Sequence, residues 1–311
     1  MSVNKIRVFA PATVSNVGPG FDLMGFALNE PGDEIEVKLN KTNQIRIVKI
    51  TGDSGKLSLN PERNTATVAI RSLCKKYNIK TGIDVSIHKK MGIGSGLGSS
   101  AASAVGGVFA VNKLLNLRLS KFDLLEHAIA GESIASGSIH ADNVAPSLYG
   151  GFILIRGYNP IDIVEIAYPS DLYCAVVYPE IVIKTSEARK ILDDSISRKD
   201  AIAQAGNAAG LINALLTNNL ELLGRSIVDL IAEPKRAALI PCYNEVRDAA
   251  LKAGAINCNI SGSGPTMFSF AKSKPYAGKI AEAMKSAFKK NGYKSQIYVS
   301  RINSKGPVVL K

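Results

Sequence analysis

Two stretches in the first third of the chain alternate strictly between apolar and polar positions. Ile35, Val37 and Leu39 interleave with Glu34, Glu36 and Lys38, and Ile83, Val85 and Ile87 with Asp84, Ser86 and His88. A period of two predicts strands with one buried face. Between them the spacing predicts a helix over 64–77, introduced by turn chemistry at Asn60-Pro61. Residues 98–116 contain AASAVGGVFAV, small and apolar all round, and predict a deeply buried helix. A helix over 120–136 carries Leu125, Ala128 and Ile129 on one stripe, and FILIR (152–156) reads as a strand after Gly150-Gly151.

The run from Asn159 to Ser170 is richer in proline and polar residues, which places a domain junction there and divides the chain into 1–165 and 166–311. Beyond it, LYCAVVY (172–178), PTMFSF (265–270) and SQIYVS (295–300) read as strands. Helices are expected over 186–195, 200–216, 220–231, 243–253 and 276–290. Strands and helices mixed without regular βαβ alternation predict an α+β protein of two domains.

Composition changes this picture little. The 311 residues are 46% apolar and 21% charged, ordinary globular values, and enough chain to bury a core without disulfide or metal staples. Cys74, Cys174, Cys242 and Cys258 are far apart and form no CxxC pair, so they read as small buried hydrophobes of a reducing cytosol. No segment approaches the roughly 20 apolar residues of a membrane span, and the start of the chain has no signal-like apolar run. A soluble, cytoplasmic protein is expected. The net charge of +12 suits a nucleic acid or an anionic small molecule, but the densest basic groups, Lys75-Lys76, Lys89-Lys90 and Lys289-Lys290, are doublets that read as solvated faces.

Chemistry concentrates in Met91-Gly92-Ile93-Gly94-Ser95-Gly96-Leu97-Gly98-Ser99-Ser100, between a predicted strand and the buried helix. Gly94, Gly96 and Gly98 let backbone N–H groups approach a ligand, and Ser99 and Ser100 stand where hydroxyls cap a helix start. A helix N-terminus favours anions, so the physical reading is a phosphate cradle. A dinucleotide fingerprint fails because Ser99 occupies the third glycine position, and a common P-loop fails because no Lys precedes the serines. A tight turn without a ligand remains the bland reading of such a loop taken alone.

The stretch Gly96 to Ala102 matches throughout the G-L-G-S-S signature, with two small residues after it, of the GHMP kinases (galacto-, homoserine, mevalonate and phosphomevalonate kinases), and the chain resembles that superfamily. The superfamily usually has Pro or Lys where Gly92 stands. Ala10 to Asp22 (APATVSNVGPGFD) looks like its first motif in homoserine kinases, and Ile260 to Thr266 (ISGSGPT) like its third. The resemblance covers essentially the whole chain. It implies an N-terminal mixed sheet with buried helices and a C-terminal ferredoxin-like α/β sandwich. It also implies ATP binding by residues 91–100, with the phosphates on 94–100 and Gly262, Ser263 and Gly264 closing from the third motif. Asn64, at the head of the early helix, either reaches the adenine or caps the helix.

Glu132 falls on the apolar face of its helix, and a buried carboxylate needs a partner, either Lys or Arg or a magnesium ion. The resemblance assigns Mg2+ to Glu132 and Ser100. The stretch Gly131 to Pro146, with His140-Ala141-Asp142-Asn143, looks specifically like homoserine kinases. By the same resemblance Arg189, in TSEAR after Thr185, and Arg236 hold an acceptor carboxylate. Arg189, read in a first helical turn, would oppose the macrodipole by about 0.3–1 kcal/mol and so suits a ligand role. Forked guanidiniums suit a carboxylate and Asp22 suits an ammonium. His140, Thr185 and Asn16 complete the implied acceptor set.

The implied reaction is ATP-dependent phosphorylation of L-homoserine to O-phospho-L-homoserine, a step of threonine biosynthesis. Such transfer asks mainly for positioning and charge neutralisation. Some members of the superfamily place an aspartate base near the position of Asp142-Asn143, and the sequence leaves open which of the two faces inward. With Asn143 facing the hydroxyl no base is available, because an amide cannot take the proton, and Asn16 or Asn143 is expected to orient the hydroxyl. Another GHMP kinase with a mevalonate-type acceptor is the near alternative, although an acidic partner is misplaced for an acceptor without an ammonium. Nucleic-acid binding is the rival class, disfavoured by dispersed basic residues and the lack of aromatic stacking residues around the loop. Fold-level analogy leaves a homodimer as an expectation.

Overall fold

A computed structural model describes residues 4–136 and 140–311. Gly137, Ser138 and Ile139, inside the stretch singled out before His140, lie outside the described residues. In chain order the strands are β1 (Lys5–Ser15), β2 (Met24–Asn40), β3 (Ile45–Thr51), β4 (Gly82–His88), β5 (Phe152–Tyr158), β6 (Ile161–Ile166), β7 (Tyr173–Pro179), β8 (Asn259–Ile260), β9 (Met267–Ala271), β10 (Ser295–Arg301) and β11 (Val308–Leu310). The helices are α1 (Thr65–Lys76), α2 (Ser99–Leu114), α3 (Lys121–Ser136), α4 (Val144–Tyr149), α5 (Thr185–Lys190), α6 (Arg198–Thr217), α7 (Leu220–Ser226), α8 (Glu233–Arg236), α9 (Tyr243–Lys252) and α10 (Lys274–Lys290).

The first sheet runs β11-β1-β2-β4-β3, with β5 paired to the beginning of β2 and β6 to β5. All its pairs are antiparallel except β3 with β4. The second sheet, β10-β7-β9-β8, is antiparallel throughout. β2 is long because it serves two neighbours: Met24–Phe26 pair with β5, and Glu34–Asn40 with β4. Its register against β1 slips between Pro11 and Thr13, and Asp33 stands just past that irregularity.

The expected mixed α+β architecture is what the chain adopts. α2 packs against β1 and β2 and is buried along nearly its whole length, as its small apolar sequence demands. The two sheets share one core: Phe26 of β2 stacks on Phe152 of β5 and meets Phe268 and Phe270 of β9, with ring centroids 5.2–5.9 Å apart. Each such fully buried side chain contributes about 1.5–3 kcal/mol of burial. The opposite face of β9, Met267 and Ala271, packs into a second cluster with α9 and α10.

Several elements differ from the sequence pattern. The polar 159–170 run contains β6, hairpinned onto β5, so the chain reaches Ile166 before leaving the first sheet. β3 is an edge strand, mostly exposed, so its pattern carries little burial signal. The 220–231 helix stops at Ser226 and resumes as α8, where the Asp229 carboxylate accepts from the backbone N–H groups of Ile231, Ala232 and Glu233. The 186–195 helix ends at Lys190, which puts Arg189 in its last turn, where a cation is favoured. The macrodipole argument for Arg189 therefore fails. His127, outside the Leu125, Ala128 and Ile129 stripe, is nonetheless buried and joins α3 to α1 through a 2.8 Å contact of its Nδ1 with Ser72 Oγ.

Candidate active site

A cavity of about 470 Å³ lies where the ends of β1 and α2 meet the loops 181–189 and 260–264 of the second half. One wall is the glycine-rich loop. Gly94, Gly96 and Gly98 hold φ of +68°, +81° and +64°, a region that penalises any side chain. Space is as restrictive as conformation. A Cβ on Gly96 would stand 2.5 Å from the Ser261 carbonyl oxygen, and one on Gly98 would stand 2.1 Å from Thr13 Oγ1. The third-motif loop packs on the first: Ser261 Oγ donates to the Gly96 carbonyl at 2.7 Å, and Thr266 N–H to the Ser95 carbonyl at 3.2 Å.

The serines do not cap the helix as their position suggested. Gly98 is the N-cap of α2, and among the described residues no side chain caps it. Ser99 Oγ donates instead to Asp33 at 3.1 Å and Ser100 Oγ to Glu132 at 2.7 Å. The first N–H groups of a sixteen-residue helix are thus left to the cavity, which is the requirement for an anion site.

Glu132 is buried on α3, and desolvation pushes its carboxyl up to about 7, with the Ser100 hydrogen bond pulling the other way. The neighbouring Asp142 charge raises it further. Serine and glutamate oxygens side by side on the cavity wall are the donor set of a hard divalent cation. Mg2+ takes one or two carboxylates and completes its shell from phosphates and waters, so these two side chains are enough protein oxygen for it.

The other wall is made of side chains. Arg189 Nη2 donates to both oxygens of Asp22, at 2.9 and 3.0 Å, and His140 Nδ1 lies 3.7 Å from Asp22. Burial lowers the His140 pKa, with Asp22 opposing and the two arginines reinforcing. Arg236 is buried and donates to the carbonyls of Ala188 (3.1 Å) and Gly262 (2.8 Å). Both guanidiniums lie over the ring of Phe21, 5.7 Å for Arg189 and 5.2 Å for Arg236. Thr185 Oγ1 stands 3.4 Å from Ser263 Oγ.

Asn16 and Asn143 are held between protein partners. Asn16 donates to the Gly262 carbonyl (3.0 Å) and accepts from Asp22 N–H (3.2 Å), with its own backbone at φ +70°. Asn143 donates to Ser15 Oγ (3.0 Å) and accepts from Thr13 Oγ1 (2.7 Å). Asn64 is the N-cap of α1, its Oδ1 accepting from Ala66 N–H at 3.1 Å, and it also lines the cavity.

Of the residues singled out from sequence, Met91, Gly92, Leu97 and Gly264 do not line the cavity, and the remainder do. The Met91 and Leu97 side chains belong to the core, and Gly92 packs where a Cβ would stand 2.4 Å from the Tyr178 ring. Sequence reasoning left open whether Asp142 or Asn143 faces the cavity; both line it, and desolvation pushes the buried Asp142 carboxyl up to about 6. It also misread Lys89, which lines the cavity floor with a side chain only 2% exposed. Lys90 beside it is 55% exposed and fits the doublet reading, so a basic pair just past the end of β4 gave no signal for the buried member.

Residues 64–151 match the family GHMP kinases N terminal domain, and residues 211–290 match GHMP kinases C terminal. Fold and site thus define a GHMP-type small-molecule kinase. The chain is 45% identical to a homoserine kinase of Chlorobium phaeobacteroides over 97% of its own length and 98% of that protein's. It is 47% identical to the crystal structure of homoserine kinase from Cytophaga hutchinsonii, covering 100% of this chain and 98% of that one with a TM-score of 0.97. The L. major mevalonate kinase in complex with R-mevalonate is 17% identical at a TM-score of 0.72, covering 94% and 95%, a likeness of fold alone. The chain belongs to the homoserine kinase family.

Proposed function

We propose that this protein transfers the γ-phosphoryl group of ATP to the hydroxyl of L-homoserine, giving O-phospho-L-homoserine, a step of threonine biosynthesis in the cytoplasm. The observation that carries the reading is one cavity with an uncapped helix N-terminus on one wall and Asp22, Arg189 and Arg236 on the other. A triphosphate suits the first wall and a zwitterionic amino acid the second. A mevalonate-type acceptor would leave Asp22 facing no cation.

The N–H groups at the start of α2 and of the cavity-lining loop residues Gly94, Ser95, Gly96 and Gly98 bind and orient the phosphates. Ser100 and Glu132 would hold Mg2+, which when bound neutralises phosphate charge. Arg189 and Arg236, backed by Phe21, hold the acceptor carboxylate, and Asp22 with His140 holds its ammonium end. Asn16 and Asn143, each fixed by two protein partners, set the floor against which the hydroxyl is aligned. A loose phosphoryl transfer gains most from this alignment. Asp142, buried in the same cavity and given neither the magnesium role of Glu132 nor the ammonium role of Asp22, is suited to take the departing proton. Homodimer formation belongs to this reading by fold analogy alone.

ADP release is to be measured with ATP and magnesium against L-homoserine, L-serine, L-threonine, mevalonate and no acceptor. Turnover selective for L-homoserine is expected. Selective turnover of mevalonate would keep the kinase and discard the acceptor assignment.

A further inference from the structure

Beneath the glycine-rich loop lies a buried ion pair that no step above uses. Asp33 and Lys89 have side chains 0% and 2% exposed and are joined by a short contact. Asp33 Oδ1 accepts from the N–H groups of Lys90 (2.8 Å) and Met91 (3.3 Å), which begin the loop. Its Oδ2 accepts from Ser99 Oγ (3.1 Å), the first residue of α2, where the loop ends. Lys89 Nζ donates to the Ser99 carbonyl (2.8 Å) and to Ser103 Oγ (3.0 Å) one turn further along the same helix. One carboxylate therefore holds both ends of the loop together, and one ammonium neutralises it while bracing the helix start.

Such a pair is expensive to bury, and a well-packed apolar pair would serve stability as well or better. What an apolar pair could not do is accept two backbone N–H bonds on one side and a hydroxyl on the other. The loop between those ends carries glycines at positions 92, 94, 96 and 98, three of them at positive φ, and so has little conformational preference of its own. Phosphate recognition by backbone N–H groups requires their directions to be fixed before the ligand arrives.

We propose that Asp33, neutralised by Lys89, is a positioning residue for nucleotide binding: it sets the width of the phosphate loop's mouth and so the direction of the N–H groups inside it. The inference rests on the proposed phosphate site but not on the identity of the acceptor.

Asp33→Asn alone would strand the Lys89 charge and risks unfolding. The informative variant is the pair Asp33→Asn with Lys89→Met, which removes both charges at similar volume. The amide oxygen so introduced can still accept from Lys90 and Met91, but the amide nitrogen can only donate to the Ser99 hydroxyl, which reverses that bond and replaces a charged acceptor by a neutral donor. A second variant, Asp33→Glu, keeps the charge balance and shifts the carboxylate by one methylene. Each is taken through thermal melting, calorimetric binding of Mg-ATP, and KM for ATP and for the acceptor. We expect cooperative melting with the ATP dissociation constant and KM raised about tenfold, acceptor KM staying within about twofold, and Asp33→Glu intermediate. A purely structural role would move both KM values together or neither. Cooperative melting of either variant with wild-type ATP affinity overturns the proposal. Wild-type protein that fails to bind Mg-ATP overturns the phosphate site itself, and the positioning role with it.

Discussion

The two walls of the cavity are built on opposite plans. The phosphate wall is backbone, shaped by glycines and pinned from beneath by Asp33 and Lys89, both almost fully buried. The acceptor wall is side chain, and its charges are satisfied by one another: Arg189 is 37% exposed, Asp22 is 27% exposed, and they form a bidentate pair. On the proposed assignment a nucleotide meets a mould that is already set. A zwitterion would have to exchange the pair, its carboxylate replacing Asp22 on Arg189 and its ammonium replacing Arg189 on Asp22. A simple anion would satisfy only half of that exchange and leave Asp22 without the Arg189 cation, so selectivity would arise from an internal pairing that only a matched acceptor dissolves.

The largest test of this contrast is on the set wall. Glu132→Gln keeps the shape of the Ser100 contact but removes the anionic oxygen, and kcat is expected to fall about a hundredfold or more while acceptor KM changes little. Unchanged kcat in steady-state kinetics would remove Glu132 from the phosphate wall. The exchangeable wall should respond differently. Asp22→Asn frees Arg189, so kcat/KM for L-homoserine is expected to drop by about tenfold to a hundredfold. The ratio of 4-hydroxybutanoate turnover, an acceptor without the ammonium, to L-homoserine turnover should rise. A ratio that stays constant would show that Asp22 and Arg189 do not trade partners with the acceptor.

The smallest effect lies behind the acceptor wall. Glu233, one turn before Arg236, accepts from Asn259 Nδ2 at 2.7 Å and from the Tyr243 hydroxyl, and burial pushes its carboxyl up to about 7 from a reference of 4.5. The folded protein thus holds a proton that the unfolded chain releases. Stability from this group is full below about pH 4.5 and is lost as pH rises through about 7. Glu233→Gln is expected to flatten part of the fall in Tm between about pH 5 and pH 7 with ATP affinity unaltered, as scanning calorimetry at several pH values would show. An unchanged slope would mean that Glu233 does not titrate in that window.

Much of this was legible in the chain. Strict alternation at Ile83, Val85 and Ile87 marked β4, the all-round small residues after Ser100 marked a buried helix, and the sequence Gly96 to Ser100 marked the glycine-shaped start of that helix on which the proposed anion site rests. What stayed hidden depends on distant partners. Ser99 reads as a helix cap until Asp33, 66 positions away, takes its hydroxyl. Lys89 reads as surface because nothing near it in sequence announces a buried carboxylate. Arg189 falls in a different turn from the one its sequence suggests because helix ends are set by weak local preferences, and α5 stops after six residues. The match of β11 to β1, Arg7 opposite Leu310, joins the two ends of the chain across some 300 positions, beyond any local pattern.

The shared aromatic core bears on how the enzyme comes apart. Phe26 and Phe152 of one sheet and Phe268 and Phe270 of the other are each other's solvent shield, and β11 carries the tail of the second half back into the first sheet. Neither half, released from the other, has a finished interior. Two family segments written one after the other in the gene are thus expected to melt as a single unit, and a cut in the connection between β6 and β7 to leave two pieces still clasped together.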